Sequence, residues 1–367
     1  MILFLHNRYR TTGGEEHVVD DLLWLVREHL GERAELLTRD SATLGRARAA
    51  VGLLRGGLQP EDVAAAVRRT GARIVHAHNL TPAFGWRALA AAREAGARVV
   101  VHLHNYRLVC AVGTCFTHGD DCTRCHGRNT LPGIRLNCRG TGPEAVVYGA
   151  GLALWQHRLA GNADRFVVPS RFAAERLRVL GAPVEGRVDV VSHLVRAFAP
   201  APLFDPDGPA LVVSRLAPEK GVDVAIEACR RADVPLVVAG DGPLRAALEA
   251  GARGADVTFT GRVSDERLRE LRARARTELV PSRAAETFGL AAAEAMAAGV
   301  PVVASRSGAL TDLLPEEQLV APNDPHALAE RLLRTGRADA ERGLRAVRSA
   351  CAPEAVAAAL SAVYAAA

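Results

Sequence analysis

The sequence predicts an α/β fold built from two doubly wound domains that face each other across a central cleft. Short β-branched runs alternate with helix-period patterns from one end to the other, so strands joined by helices form right-handed βαβ units and a parallel sheet covered on both faces. That alternation is interrupted once, by the aperiodic segment 196–209 (RAFAPAPLFDPDGP) with its four prolines, which reads as a stiff interdomain connection. At 367 residues the chain is also too long for one ordinary core.

In the first half the strand candidates are 2–6 (ILFLH), 33–38, 73–78 (RIVHAH), 98–104 (RVVVHLH), 165–170 and 187–193. The helix over 15–30 is typical of those between them, since Val19, Leu22, Leu23, Val26 and Leu30 recur at helical spacing. After the linker the pattern restarts with strands at 210–214, 235–240, 256–261, 277–282 and 300–305. The expected organisation is a first α/β domain over 1–195 with a cysteine-rich insert at about 107–142, the linker 196–209, a second α/β domain over 210–351, and a helix over 352–367 that packs back on the first domain.

Bulk properties narrow the function. The 46 cations and 41 anions give a formal charge of +5, yet they are spread along the chain, so no basic arm for nucleic acid is visible. Aromatics are only 4% of residues, too few for interleaved base-stacking platforms. The N-terminal MILFLHNRYR is apolar for five residues and then polar, which is a first strand and not a signal peptide. No run of about 18 uncharged apolar residues marks a membrane span. These features indicate a cytoplasmic protein, at most resting on the inner face of a membrane. Reduced thiols or metal ligands are then the expected use of the seven cysteines.

Ligands of doubly wound sheets sit beyond the carboxyl ends of the strands, and there the chemistry-bearing residues collect. Gly13-Gly14 follows the first strand and opens a helix, where a phosphate or sugar can approach the backbone. His102 and His104 end the strand over 98–104 on one face, with His104 at its carboxyl end. Ser214-Arg215 closes a strand and Lys220 follows five residues after Arg215. Lys220 is the only lysine in the chain. An ammonium is a compact point charge where guanidinium is a planar fork, so a single lysine among arginines suggests a demand for close approach to one oxygen. Glu286 lies in a post-strand loop, Phe288-Gly289-Leu290 begins a helix and Glu294 sits one turn inside, a grip suited to a sugar nucleotide. Neither GDGPLR at 240–245 nor GAGLAL at 149–154 completes G-x-G-x-x-G, which disfavours a nicotinamide enzyme.

At these residues the sequence resembles the retaining glycosyltransferases of family 4, which have the GT-B fold. The similarity runs through the Gly13-Gly14 loop, HNYRLVC at 104–110, SRLAPEKG at 214–221, GDGP at 240–243, and Glu286 with Glu294 in an E-x₇-E block. It implies that Arg215 and Lys220 bind the donor diphosphate and that Gly289 and Leu290, after Phe288, offer amides to it. It further implies that Glu294 holds the ribose, Glu286 the hydroxyls of the sugar, His104 the region of the anomeric centre, Gly13 and Gly14 the diphosphate, and Arg262-Val263 the base. Two departures stand out: Thr287 replaces a frequent proline, and Asn105 a frequent aspartate. The implied reaction moves a hexose-type sugar from a nucleoside-diphosphate sugar, a UDP-sugar first, to a hydroxyl on a glycan, lipid-linked or natural-product acceptor. Front-face attack would retain configuration without a divalent metal for catalysis. A GT-B epimerase or phosphorylase and a zinc-knuckle nucleic-acid-binding protein are the alternatives.

Residues 110–138 carry five of the seven cysteines. Cys122 and Cys125 form a C-x₂-C knuckle that Cys110 and Cys138 can complete into a structural zinc site, with Cys115, His118 and His126 as spare candidates. Many bacterial members of the family carry a similar insert. The following apolar helix over 144–161, with Trp155, reads as core packing or as a surface for a lipid-linked acceptor.

Overall fold

A computed structural model describes residues 1–9 and 13–367. The chain forms two compact units, one of residues 1–117, 122–194 and 353–367, the other of 118–121 and 195–352.

The first unit holds a parallel six-stranded sheet ordered β2-β1-β3-β4-β7-β8. Its strands are β1 (Ile2–Arg8), β2 (Ala34–Asp40), β3 (Ile74–Ala77), β4 (Arg98–His102), β7 (Arg165–Val168) and β8 (Val188–Val190). A small hairpin of β5 (Phe116–Thr117) and β6 (Asp120–Asp121) lies within the cysteine segment. Strand β1 is central and nearly fully buried, as a run of apolar residues covered on both faces requires. Helices α1 (Gly14–Glu28), α2 (Arg46–Arg55), α3 (Pro60–Thr70), α4 (Gly85–Glu94), α5 (Leu131–Arg135), α6 (Gly142–Gly161) and α7 (Arg171–Val179) occur in this half of the chain. Helix α1 shows why they pack: Val18, Val19, Leu22, Leu23, Leu25 and Val26 are buried, and each such side chain contributes roughly 1.5–3 kcal/mol.

The second unit repeats the plan with a parallel sheet ordered β11-β10-β9-β12-β13-β14. Its strands are β9 (Ala210–Val213), β10 (Leu236–Ala239), β11 (Val257–Gly261), β12 (Thr277–Val280), β13 (Val302–Ser305) and β14 (Leu319–Val320). The two-residue β14 is too short to leave a periodic signal and was not expected from the sequence. Its helices are α8 (Val222–Ala232), α9 (Arg245–Gly251), α10 (Asp265–Ala273), α11 (Leu290–Ala297), α12 (Leu310–Leu313), α13 (Pro325–Leu333) and α14 (Arg337–Cys351).

Helix α15 (Pro353–Ala366) returns to the first unit, against α1 and β7. The stretch Arg337–Ala366 reaches the length and apolar composition of a membrane span, which the sequence reading did not anticipate. It is two helices: Ala352 is extended (φ −63°, ψ 149°) because it precedes Pro353, and α14 packs on α11.

Candidate active site

In the second unit the order of strands reverses between β9 and β12, and the carboxyl ends of these two strands frame a cavity of about 130 Å³. Ser214, Lys220, Ser282, Glu286, Gly289 and Leu290 line it. This is the switch-point crevice where doubly wound sheets hold ligands. Lys220 Nζ donates to Glu286 Oε1 at 2.6 Å, and the Ser282 hydroxyl donates to the same oxygen at 2.6 Å. Burial alone would raise the Glu286 carboxyl, but the Lys220 charge and these two donors hold it below its ordinary value. Gly289 caps α11 with φ +92°, a left-handed conformation that leaves the first helical amides directed outward. The SRLAPEKG loop is held from behind by the GDGP turn: a Cβ on Gly240, at φ +145°, would meet Ser214 O at 1.8 Å.

Other residues singled out from the sequence lie outside this cavity. Arg215 is exposed and paired with Glu219 one helical turn on. Phe288 is buried among apolar side chains and serves packing. Glu294 faces Arg272, which contacts it at 3.3 Å and the buried Glu278 at 2.9 Å. Arg262, exposed, and Val263, half-buried, follow the end of β11.

The first unit has its own cavity, about 90 Å³, beyond the ends of β3 and β4. Leu53, Trp86, Leu152 and Trp155 give it an apolar side, and His78, His104, Glu15 and Arg107 a polar one. Helix α6 therefore does more than fill core: it supplies Leu152 and Trp155 to the cavity while Val146 and Leu154 stay about half exposed. Trp155 Nε1 donates to Leu54 O at 3.0 Å, tying α6 to α2.

Around the start of α1 the polar groups are interlocked. Tyr9 donates its hydroxyl to Glu15 Oε2 at 2.8 Å and accepts from Arg107 at 2.9 Å. Burial keeps the Glu15 carboxyl above its usual range despite both partners. Glu16 turns back to accept from Gly13 N at 2.8 Å and Tyr9 N at 3.1 Å; although burial would raise its carboxyl, His6 and these amides bring it to about 2. Gly13 is extended (φ −139°), and a Cβ there would meet nothing closer than 3.7 Å. Gly14 is the first residue of α1. Asn105 Oδ1 accepts from Arg107 N at 2.9 Å, a duty an aspartate could also perform.

His104 is one of six stacked or neighbouring imidazoles: His6, His76, His78, His102, His104 and His193. Burial, with the neighbouring histidine His6 adding to it, brings His104 down to about 3, so it is a neutral imidazole. The sequence reading named His102 and His104 but not their counterparts. The available signal was a repeated His-x-His-Asn, at 76–79 and again at 102–105.

The cysteines do not form the expected zinc set. Cys110, Cys115, Cys122, Cys125 and Cys138 line one small void, and none of the seven cysteines is joined in a disulfide. Among the described residues, the groups whose ligand atoms lie within 4.8 Å of one another are two histidine trios, and no cysteine belongs to either. The thiols are turned to other partners: the Cys115 side chain and loop amides stabilise a Cys110 thiolate against burial, taking it to about 6, and Cys138 Sγ lies 3.5 Å from Thr117 Oγ1.

Known proteins match this arrangement. The glycosyl transferase 4-like domain model matches residues 8–193, and the glycosyl transferases group 1 model matches 197–340. A GDP-mannose-dependent alpha-(1-6)-phosphatidylinositol dimannoside mannosyltransferase of Mycobacterium tuberculosis is 43% identical over 187 residues, 47% of this chain and 49% of that protein. A GDP-mannose-dependent alpha-mannosyltransferase of Mycolicibacterium smegmatis is 34% identical over 46% of this chain and 48% of its own length. The chain spans about half the length of these curated relatives. Sucrose-phosphate synthase from Thermosynechococcus elongatus superposes with a TM-score of 0.69 at 19% identity, covering 99% of this chain and 98% of that one. Anabaena HepE in complex with UDP-glucose gives 0.65 at 16%, covering 99% of each. These likenesses establish two Rossmann-like α/β units of GT-B type.

Proposed function

The chain belongs to the glycosyl transferase 4-like family, and from that premise we propose that it is a retaining glycosyltransferase that takes a hexose from a nucleoside-diphosphate sugar to a hydroxyl acceptor. The observation that carries the proposal is the Lys220–Glu286 pair at the switch-point cavity, with the amides of α11 beside it. Breaking the glycosidic bond puts negative charge on the leaving diphosphate, and cations and amides already in place are the largest source of catalysis for such a step. Lys220 has three donors, so it can hold Glu286 and still give one to a phosphate oxygen. Arg215 supplies the second cation by leaving Glu219, and Glu286 keeps an oxygen for the sugar hydroxyls. Front-face attack lets the departing phosphate accept the acceptor's proton, and it needs no protein nucleophile. Glu294 is proposed to hold the ribose, and Arg262-Val263 to border the base.

For the donor we place GDP-mannose ahead of the UDP-sugar expected from the sequence, because curated relatives are GDP-mannose-dependent. In the first unit, the open space over Gly13 suits a phosphate at the start of α1, and His104 suits a sugar hydroxyl. The cavity of Leu53, Trp86, Leu152 and Trp155 is assigned to the acceptor, a glycan or lipid-linked hydroxyl compound, and the proposed place of action is the cytoplasm or the inner face of the membrane.

The deciding experiment is a thermal-shift panel of GDP, UDP, ADP and TDP on the wild type and Lys220→Ala. GDP is expected to stabilise the folded chain by mass action, by about 2.7 kcal/mol at a hundred times Kd, and so to raise the midpoint; the shift should vanish in the variant. A larger shift with UDP overturns the donor choice; no shift with any diphosphate overturns the site.

A further inference from the structure

We propose that His76, His78 and His102 form a binding site for a divalent transition-metal ion of the zinc type, at the floor of the first unit's cavity. The inference does not rest on the glycosyl-transfer reading, and it assigns the ion no step of that reaction.

The argument begins in the backbone. Alternation along a strand puts residues i and i+2 on one face, so His76 and His78 project together from β3 and its end. Strand β4 runs parallel with His76 opposite Val100, which sets His102 beside His78 on that same face. One ring nitrogen from each of the three lies within 4.8 Å of the others. All three side chains are buried: His76 is 0% exposed, His102 2% and His78 3%.

Each of these rings also has a nitrogen with no hydrogen-bond partner: Nε2 of His76, Nε2 of His78 and both nitrogens of His102. A buried polar atom left unmatched is destabilising, and four within one cluster need a reason. The opposite ring edges are satisfied. His76 Nδ1 lies 2.8 Å from the Tyr364 hydroxyl of α15, and His78 Nδ1 lies 2.8 Å from His104 Nε2. With a proton on each Nδ1, each Nε2 presents a lone pair, which is the arrangement of an imidazole ligand whose far nitrogen is held by a second group.

The rings are stacked within 10° to 29° of parallel. Binding therefore requires rotation about the soft χ2 torsions, drawing the nitrogens to roughly 3.3 Å apart around an ion at about 2.0–2.1 Å. Three neutral imidazoles suit zinc, copper, nickel or cobalt over magnesium or calcium. His78 and His102 also line the cavity, so a fourth position would open toward it.

The test uses the full chain without a histidine tag. The protein is loaded with Zn²⁺ alone, freed of excess ion by gel filtration and assayed for metal. About one equivalent is expected in the wild type and in Cys122→Ser, with loss in His102→Gln and His76→Gln. Tyr364→Phe should weaken binding about tenfold, because it releases the far edge of His76. Zinc below a tenth of an equivalent in the wild type, or zinc lost in Cys122→Ser but kept in the histidine variants, overturns the proposal. Should the histidine variants not fold, Co²⁺ bound to the wild type decides. Weak visible bands without near-ultraviolet sulfur-to-metal charge transfer support a nitrogen site, and intense charge transfer overturns it.

Discussion

Lys220 is one of 46 cationic residues and the only ammonium. Its partner Glu286 lies 2.6 Å away and is half-buried, which fixes the cation at the cavity wall. If Lys220 works by placing a point charge on one phosphate oxygen, a guanidinium at that position cannot replace it. Lys220→Ala is expected to lower kcat by about 10²–10³-fold, the usual cost of losing one preorganised donor. Lys220→Arg should recover little of that loss. Steady-state kinetics with saturating acceptor checks both, and full recovery by arginine would show that any cation suffices. The same pair predicts a pH response. The Glu286 carboxyl titrates lower in the folded chain than its ordinary value, so its contribution to stability is present above the unfolded value and is lost as pH falls through the folded one. Unfolding free energies of the wild type and Glu286→Gln should accordingly converge as pH drops below roughly 4.5. A gap that persists to pH 3 would mean that the pair does not set the carboxyl's titration.

Among the elements, strands and long helices were legible because each carries its own period. The parallel registers that bring those elements together leave no local mark. The sequence reading found 73–78 and 98–104 as strands, and the alternation placed His102 and His104 on one face. Only the pairing of β3 with β4 shows that His76 and His78 share that face. The short elements, β14 and the hairpin of β5 and β6, escaped because two residues cannot express an alternation. The C-x₂-C spacing suggested a thiol site, yet loop geometry turned Cys110 toward Cys115 and Cys138 toward Thr117. Spacing records which ligands are near in sequence and says nothing of where a non-periodic loop aims them. Helix α11 was readable down to its cap, since Gly289 precedes an alanine-rich run at the position that adopts φ +92°. Gly289→Ala is expected to destabilise the chain by about 1–3 kcal/mol through that left-handed backbone. The added Cβ would also stand 2.6 Å from Leu310 Cδ2. Chemical denaturation measures the cost; a neutral result would show that the loop before α11 can re-form with φ below zero.

At the scale of the whole molecule, each unit has its own sheet, its own core and its own cavity at the carboxyl ends of its strands. Effects of substitutions that share no partners usually add within about 0.3–0.5 kcal/mol, so changes at the Lys220 cavity and at the Trp155 cavity should separate in binding measurements. Trp155→Ala removes a large side chain from the apolar side of the first cavity, whereas Lys220 lines the cavity of the second unit. That variant is expected to raise the acceptor KM by about tenfold or more, the loss of one aromatic anchor, while the thermal shift produced by GDP stays unchanged. Lys220→Ala should do the converse, abolishing the nucleotide shift while direct acceptor binding remains. Isothermal titration of each variant with GDP and with acceptor gives four numbers, and the pattern among them carries the argument. If Trp155→Ala weakens GDP as much as acceptor, the two sites are coupled and the division of labour by unit fails. If it weakens neither, the apolar cavity is not where the acceptor binds, and the exposed residues of α2 and α6 become the surface to test.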